Sequence, residues 1–109
     1  SEFFFDFDSY ELDNTQSINI KNLSKILIKY EYIKINIDGH ASSEGESDYN
    51  MLLSKKRSLN MKMLLIQDGI NGSRLDISAF GEKQPKYDNS PLTERKKNRR
   101  VIISVNMEL

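Results

Sequence analysis

The period of the apolar residues changes along this chain, and that change constrains the fold more than any single motif does. Ile33, Ile35 and Ile37 alternate with Lys34, Asn36 and Asp38, the two-residue period that a half-buried strand presents to a core. On either side the spacing switches to threes and fours. Before it, Ile20, Leu23, Leu27 and Tyr30 fall on one face of a helix. After it, Leu52, Lys56, Leu59, Met63 and Ile66 trace one face of a longer helix. Leu53 and Leu64 widen that stripe, and the Lys56 stem can lie along it.

Punctuation residues complete the outline. Phe3 to Phe7 reads as a first strand, stopped by Asp8-Ser9, with Asn14 or Thr15 as the cap of the first helix. Gly39 ends the second strand. The small, polar segment Ala41 to Ser47, which contains Gly45, is a loop, and the second helix starts near Ser47. Gly69 stands where a left-handed C-terminal cap belongs. Leu75 to Phe80 is a third strand closed by Gly81, Pro85 and Pro91 mark an irregular loop, and Val101 to Val105 is a buried final strand. The order strand, helix, strand, helix, strand, loop, strand predicts an α/β (α+β) fold. It has a mixed sheet of about four strands, with two main helices on one face reached by right-handed crossovers.

A length of 109 residues fits one domain, running over 1–109. Lys plus Arg and Asp plus Glu number 16 each. The balanced charge gives no reason to expect a nucleic-acid partner. The absence of cysteine excludes disulfides, thiol catalysis and Cys-based zinc sites. No apolar run approaches the roughly 20 residues that span a bilayer, so insertion of this segment into a membrane is not expected. No signal peptide is read in this segment, which opens at the strand-like Phe3-Phe4-Phe5. The expectation is therefore a domain excised from a longer protein.

The chemistry-bearing residues point away from catalysis. His40 is the only histidine, and neither Gly-x-Ser-x-Gly nor His-Glu-x-x-His occurs. No metal site or cofactor is expected. Asp6 and Asp8 share a strand face as a carboxylate pair, but Asp8 at a strand end reads more simply as a turn residue. The Gly39-to-Gly45 loop before a helix can receive an anion on backbone N–H groups, yet it lacks the residues of a phosphate loop. Arg57, among Lys55 and Lys56, reads by itself as part of a solvated helix face. Arg99 and Arg100 precede a buried strand, where alternation sends one to each face. There an arginine can grip a ligand carboxylate or form a structural bridge to Asp6 or Asp8.

Five motifs then coincide in order. They are Phe5-Asp6-Phe7-Asp8; Gly39-His40-Ala41 with Gly45; Tyr49-Asn50 with Leu53-Ser54 and Arg57; Phe80-Gly81-Glu82 with Pro85; and Asn98-Arg99-Arg100-Val101. From about Phe3 to Val105 the chain resembles the OmpA-like C-terminal domain. The resemblance implies a βαβαβ-type fold that binds the diaminopimelate-containing stem peptide of peptidoglycan without cleaving it. Such a domain anchors an envelope protein to the cell wall on the periplasmic side of the bacterial outer membrane. It implies that a reachable Arg57 grips the ligand carboxylate, with backbone groups at Asp8 and Ser9 contributing. Tyr49, Asn50 and Leu53 line or support the pocket, and Asn98, Arg99 and Arg100 brace it.

Two positions depart from the family. Where its members carry an aspartate that meets the ligand ammonium, this chain has Ser42. A charge-assisted bond contributes roughly 1.5–3 kcal/mol against about 1 for a neutral one, so binding weakens by about tenfold. Glu44 in the same loop can replace the charge or face solvent. The family's frequent glycine before the Asn-Arg-Arg motif is Glu94 here, followed by the basic Arg95. The rival expectation is a domain whose pocket is weakened or lost and which serves as a protein-interaction or assembly element, with other envelope proteins as partners.

Overall fold

The computed structural model describes residues 1–6, 8–43, 46–84 and 96–106. Four strands and two long helices alternate as β1 (Glu2–Phe4), α1 (Asn14–Lys29), β2 (Ile35–Gly39), α2 (Ser47–Gln67), β3 (Leu75–Ala79) and β4 (Arg100–Val105), with 3-10 turns at Gly72–Arg74 and Lys96–Asn98. The sheet order is β1-β4-β2-β3. β2 and β3 run parallel, joined by the α2 crossover, while β4 is antiparallel to both β1 and β2. The sheet is thus mixed, as the alternation of periods predicts.

One core gathers the same-facing residues. Phe3 lies opposite Val101, and Ile37 lies between Ile103 and Ile77. Phe3, Phe5, Ile35, Ile37, Val101 and Ile103 form a single cluster with Ile20 and Leu27 of α1 and Met61 and Leu65 of α2. Burying one such aliphatic side chain stabilises the fold by about 1.5–3 kcal/mol.

Several boundaries differ from the sequence reading. β1 is shorter than Phe3–Phe7, although Phe5 N–H still donates to the Arg99 carbonyl at 2.8 Å. Beyond that bond the chain turns, with Ser9 N–H donating to the Asp6 carbonyl. Phe7 itself lies outside the described residues, as do Glu44, Gly45, Pro85, Pro91, Glu94 and Arg95. The cap of α1 is Asp13, not Asn14 or Thr15, because its Oδ1 accepts from Gln16 N–H at 2.9 Å. Tyr30 leaves helical geometry at the C-cap and turns outward, so it does not continue the Ile20–Leu27 face. Gly69 has φ +100° after α2, the expected left-handed cap.

The larger correction concerns α2. Leu52, Leu59, Met63 and Ile66 are 37–48% exposed, so that part of the stripe points to solvent, while Leu53 is buried and Leu64 packs against the core. The inward face is Leu53, Ser54, Arg57, Ser58, Met61 and Leu65. The cause lies in β2. A Cβ on Gly39 would fall 2.0 Å from the Ser54 carbonyl oxygen and 3.3 Å from the Ser58 Cβ. α2 therefore lies against bare backbone, which only small residues on its facing side permit. Once Ser54 and Ser58 face the sheet, helical spacing turns Arg57 inward with them.

Candidate functional site

Arg57 is the largest fully buried side chain in the described structure, with 0% of its surface exposed. A buried guanidinium needs acceptors for its donors, and three carbonyls from two segments, the turn after β1 and the residue after β2, supply them. Nε donates to the Ser9 carbonyl at 2.8 Å, Nη1 to the His40 carbonyl at 3.0 Å, and Nη2 to the Asp6 carbonyl at 3.2 Å. The cation also lies 5.2 Å from the centre of the Phe5 ring. The solvated helix face read from sequence is therefore wrong at Arg57, whose side chain is enclosed in this structure. Its carbonyl partners are backbone groups, whose residue identities give no sequence signal.

Burial lowers the Arg57 pKa to about 10, and Arg99 pushes the same way, while Asp8 and Tyr49 oppose the shift. The group remains a cation at neutral pH. Asp8 and Tyr49 share this neighbourhood and contact each other, the Tyr49 hydroxyl donating to Asp8 Oδ1. That bond is the first cause of a raised Tyr49 pKa. Asp8 holds φ +59°, the left-handed region that Asp tolerates better than most residues. Asp8 is thus a turn residue, but β1 has already ended at Phe4 and the Asp8 side chain accepts from the Tyr49 hydroxyl. Ser9 fixes the same loop twice, through its carbonyl to Arg57 and through its Oγ, which accepts from Glu11 N–H at 3.2 Å.

The segment after β2 closes the other side. Ser42 is buried, and Ala41 N–H donates to the Gly81 carbonyl at 2.8 Å. Gly81 N–H donates in turn to Ser54 Oγ at 2.9 Å. Leu53 is buried, and Asn50 Nδ2 donates to Glu82 Oε1 at 3.3 Å. Asn50 therefore ties α2 to the segment after β3. Glu44 lies outside the described residues, so its substitution for the missing aspartate remains a proposal.

Arg99, just before β4, and Arg100, its first residue, differ in burial. Arg100 is buried, with Nη2 donating to the Gln84 carbonyl at 3.2 Å and Nη1 to the Asn98 carbonyl at 3.4 Å. Its Nε approaches Glu2 Oε2 at 4.0 Å. Arg99 is half-buried, donates from Nε to the Phe5 carbonyl at 3.0 Å, and borders a cleft of about 190 Å³ with Asp6 and Glu11.

His40, the only histidine, is built into the fold. Its ring stacks on Phe80 at 5.2 Å, its N–H donates to the Arg100 carbonyl, and its own carbonyl accepts from Arg57. Nδ1 is buried without a hydrogen-bond partner among the described residues. Burial, and then the nearby Arg100, lower its pKa to about 4. The ring is therefore neutral at physiological pH. Among the described residues no cluster of acids, histidines or cysteines could hold a metal ion.

The sequence and structure can be set beside known proteins. Outer membrane porin F of Pseudomonas fluorescens is 35% identical over 101 residues, which is 93% of this chain and 31% of the porin. The peptidoglycan-associated lipoprotein of Buchnera aphidicola subsp. Baizongia pistaciae is 28% identical over 100 residues, covering 92% of this chain and 58% of the lipoprotein. The chain thus spans only part of the length of these relatives. Among solved structures, the peptidoglycan-associated lipoprotein from Burkholderia pseudomallei superposes with a TM-score of 0.92 at 23% identity, covering 96% of this chain and 89% of that one. The C-terminal domain of Helicobacter pylori MotB gives 0.90 at 26% identity, covering 99% and 85%. Residues 4–99 match the OmpA family, so the chain belongs to the OmpA family.

Proposed function

We propose that this single domain binds peptidoglycan without cleaving it and anchors a larger envelope protein to the cell wall, on the periplasmic side of the outer membrane. The observation that carries the proposal is the cluster around Arg57. Asp8 and Ser9 reach this cation from the loop after β1, Tyr49 stands beside it from the first turns of α2 itself, and Leu53 is buried one helical turn before it. Three of the five guanidinium N–H groups are committed to backbone carbonyls. One N–H on each Nη is left to meet a carboxylate of the diaminopimelate-containing stem peptide. For that, the Tyr49–Asp8 pair must part. The peptidoglycan-associated relatives support this reading by name. Ser42, Glu44, Asn50, Arg99 and Arg100 complete the proposed site as acceptors and braces.

Purified sacculi provide the test. The domain should co-sediment with them, and calorimetry should detect binding of a diaminopimelate tripeptide. Release of soluble muropeptides would overturn the non-catalytic part, and absence of sacculus binding would overturn the whole.

A second reading is favoured by one observation. Ser42, where a carboxylate would meet the ligand ammonium, is only 4% exposed. A buried hydroxyl suits a pocket that has become a structural joint. In that reading Arg57 only staples the fold and the domain is an assembly element. Absence of sacculus binding favours it.

A further inference from the structure

The outward face of α2 is as apolar as its inward one. Leu52, Leu59, Met63 and Ile66 stand 37–48% exposed on the side of the helix away from the sheet. With Lys56 they follow one another at intervals of four, three, four and three. That alternation is the heptad spacing by which one helix receives another, and it is not needed by a helix that merely sits on a sheet. The single polar member of the stripe is turned aside. The Lys56 ammonium lies 5.6 Å from the centre of the Tyr10 ring. Between Tyr10, Lys56, Leu59, Asn60 and Met63 runs a groove of about 250 Å³, a hole for a large apolar side chain.

Charge identifies the occupant. Lys55, Lys56 and Lys62 lie in or beside the stripe, and the one acid in α2 is Asp48 at its first turn. A second copy of this chain would bring like charges together, at Lys56 against Lys56 in a parallel pair and around Lys55 and Lys56 near the centre of an antiparallel one. A helix with acids flanking its own apolar seam meets both the spacing and the charge. We propose that the outer face of α2 is a docking site for an amphipathic, acid-flanked α-helix of a partner protein. The stripe residues Leu59 and Met63 are separate from Arg57, which lies on the inward face of the same helix, so the site stands or falls independently of peptidoglycan binding.

The test uses a fluorescent synthetic peptide of about four heptads, with Leu at its core positions and Glu at the flanking ones. A matched peptide carries Lys at the flanking positions. Anisotropy should report saturable binding of the Glu peptide. Binding should weaken by about tenfold or more in Leu59→Glu and in Met63→Glu, both exposed positions whose change should leave the melting temperature near that of the wild type. Sacculus binding should be unchanged in the same variants. Equal binding of the Lys peptide, or no effect of the two variants, overturns the proposal. Sedimentation equilibrium showing a dimer that Met63→Glu dissolves assigns the face to a second copy instead. Flotation with phosphatidylglycerol vesicles in place of peptide binding assigns it to a membrane surface. Either result also overturns the proposal.

Discussion

The α-carbon of Gly39 lies so close to α2 that a Cβ there would meet the Ser54 carbonyl oxygen at 2.0 Å. The clash would be with backbone, which no rotamer change relieves. Gly39→Ala must therefore push α2 off the sheet and disturb the Arg57 and Ser54 hydrogen bonds together. We expect a stability loss of about 3 kcal/mol, the upper end of overpacking effects, read as a lower midpoint in urea denaturation. A variant as stable as the wild type would show that α2 can move outward without loss.

Arg57 carries the second prediction. A reachable ligand-gripping arginine implies little change in stability on truncation, and the structure overturns that expectation. Arg57→Ala would strand the carbonyls of Asp6, Ser9 and His40, each worth about 1 kcal/mol or more as a lost bond. It would also leave a cavity. The loss should reach about 3–5 kcal/mol. Arg57→Lys should recover only part of it, because an ammonium cannot reach three diverging acceptors from one atom. Chemical denaturation of the two variants distinguishes this staple from a surface cation, whose removal would change stability little.

Much of this architecture was legible in the sequence. The alternation of periods gave the element order and the mixed sheet, and Gly69 marked the end of α2 through its positive φ. The inward face of α2 was not legible, for a physical reason. Apolar spacing identifies a core face only when the opposite face is polar, and α2 is apolar on both sides. What breaks the tie is the pairing of Ser54 and Ser58 with Gly39, small residues distant in sequence whose partnership appears only when β2 and α2 meet. Arg57 stands out in the sequence, but its burial does not, because its partners are main-chain carbonyls. Arg74 shows the same blindness. It ties the end of α1 to the chain before β2 through the carbonyls of Leu27, Tyr30 and Ile33, and nothing in its sequence surroundings marks it.

The third prediction concerns acid stability. In the fold, burial and Arg100 hold the His40 pKa at about 4, below its ordinary 6.5. Between those values the unfolded chain binds a proton that the folded chain refuses. Stability therefore rises with pH across that window and is lost as pH falls through it. Lowering pH from about 7 to about 5 should remove about 2 kcal/mol through this group alone. His40→Asn should abolish that part of the slope, whatever it does to absolute stability. Parallel pH profiles for the two proteins, measured by urea denaturation, would contradict the assignment.

The last prediction concerns Ser42, where the chain departs from its family. Ser42 is buried close behind the end of β2. A ligand ammonium brought there needs an anionic or carbonyl acceptor to offset its desolvation. A hydroxyl is the weaker acceptor, so wild-type affinity for a diaminopimelate peptide should be modest. Ser42→Asp should raise it by about tenfold, a gain of about 1.4 kcal/mol. The free protein should lose stability at the same time, because the new carboxylate is buried without the ammonium that it would pair with. These opposite signs are the diagnostic. A structural joint with no ligand would show only the loss. High salt should shrink the affinity gain to the extent that water still reaches the pair. Glu44 can be separated by its own variant. If its carboxylate already supplies the missing charge, Glu44→Gln should weaken wild-type binding, and Ser42→Asp in that background should restore it. If calorimetry shows no peptide binding by wild type, Ser42→Asp or Glu44→Gln, the pocket does not serve peptidoglycan. The buried Arg57 is then a staple alone.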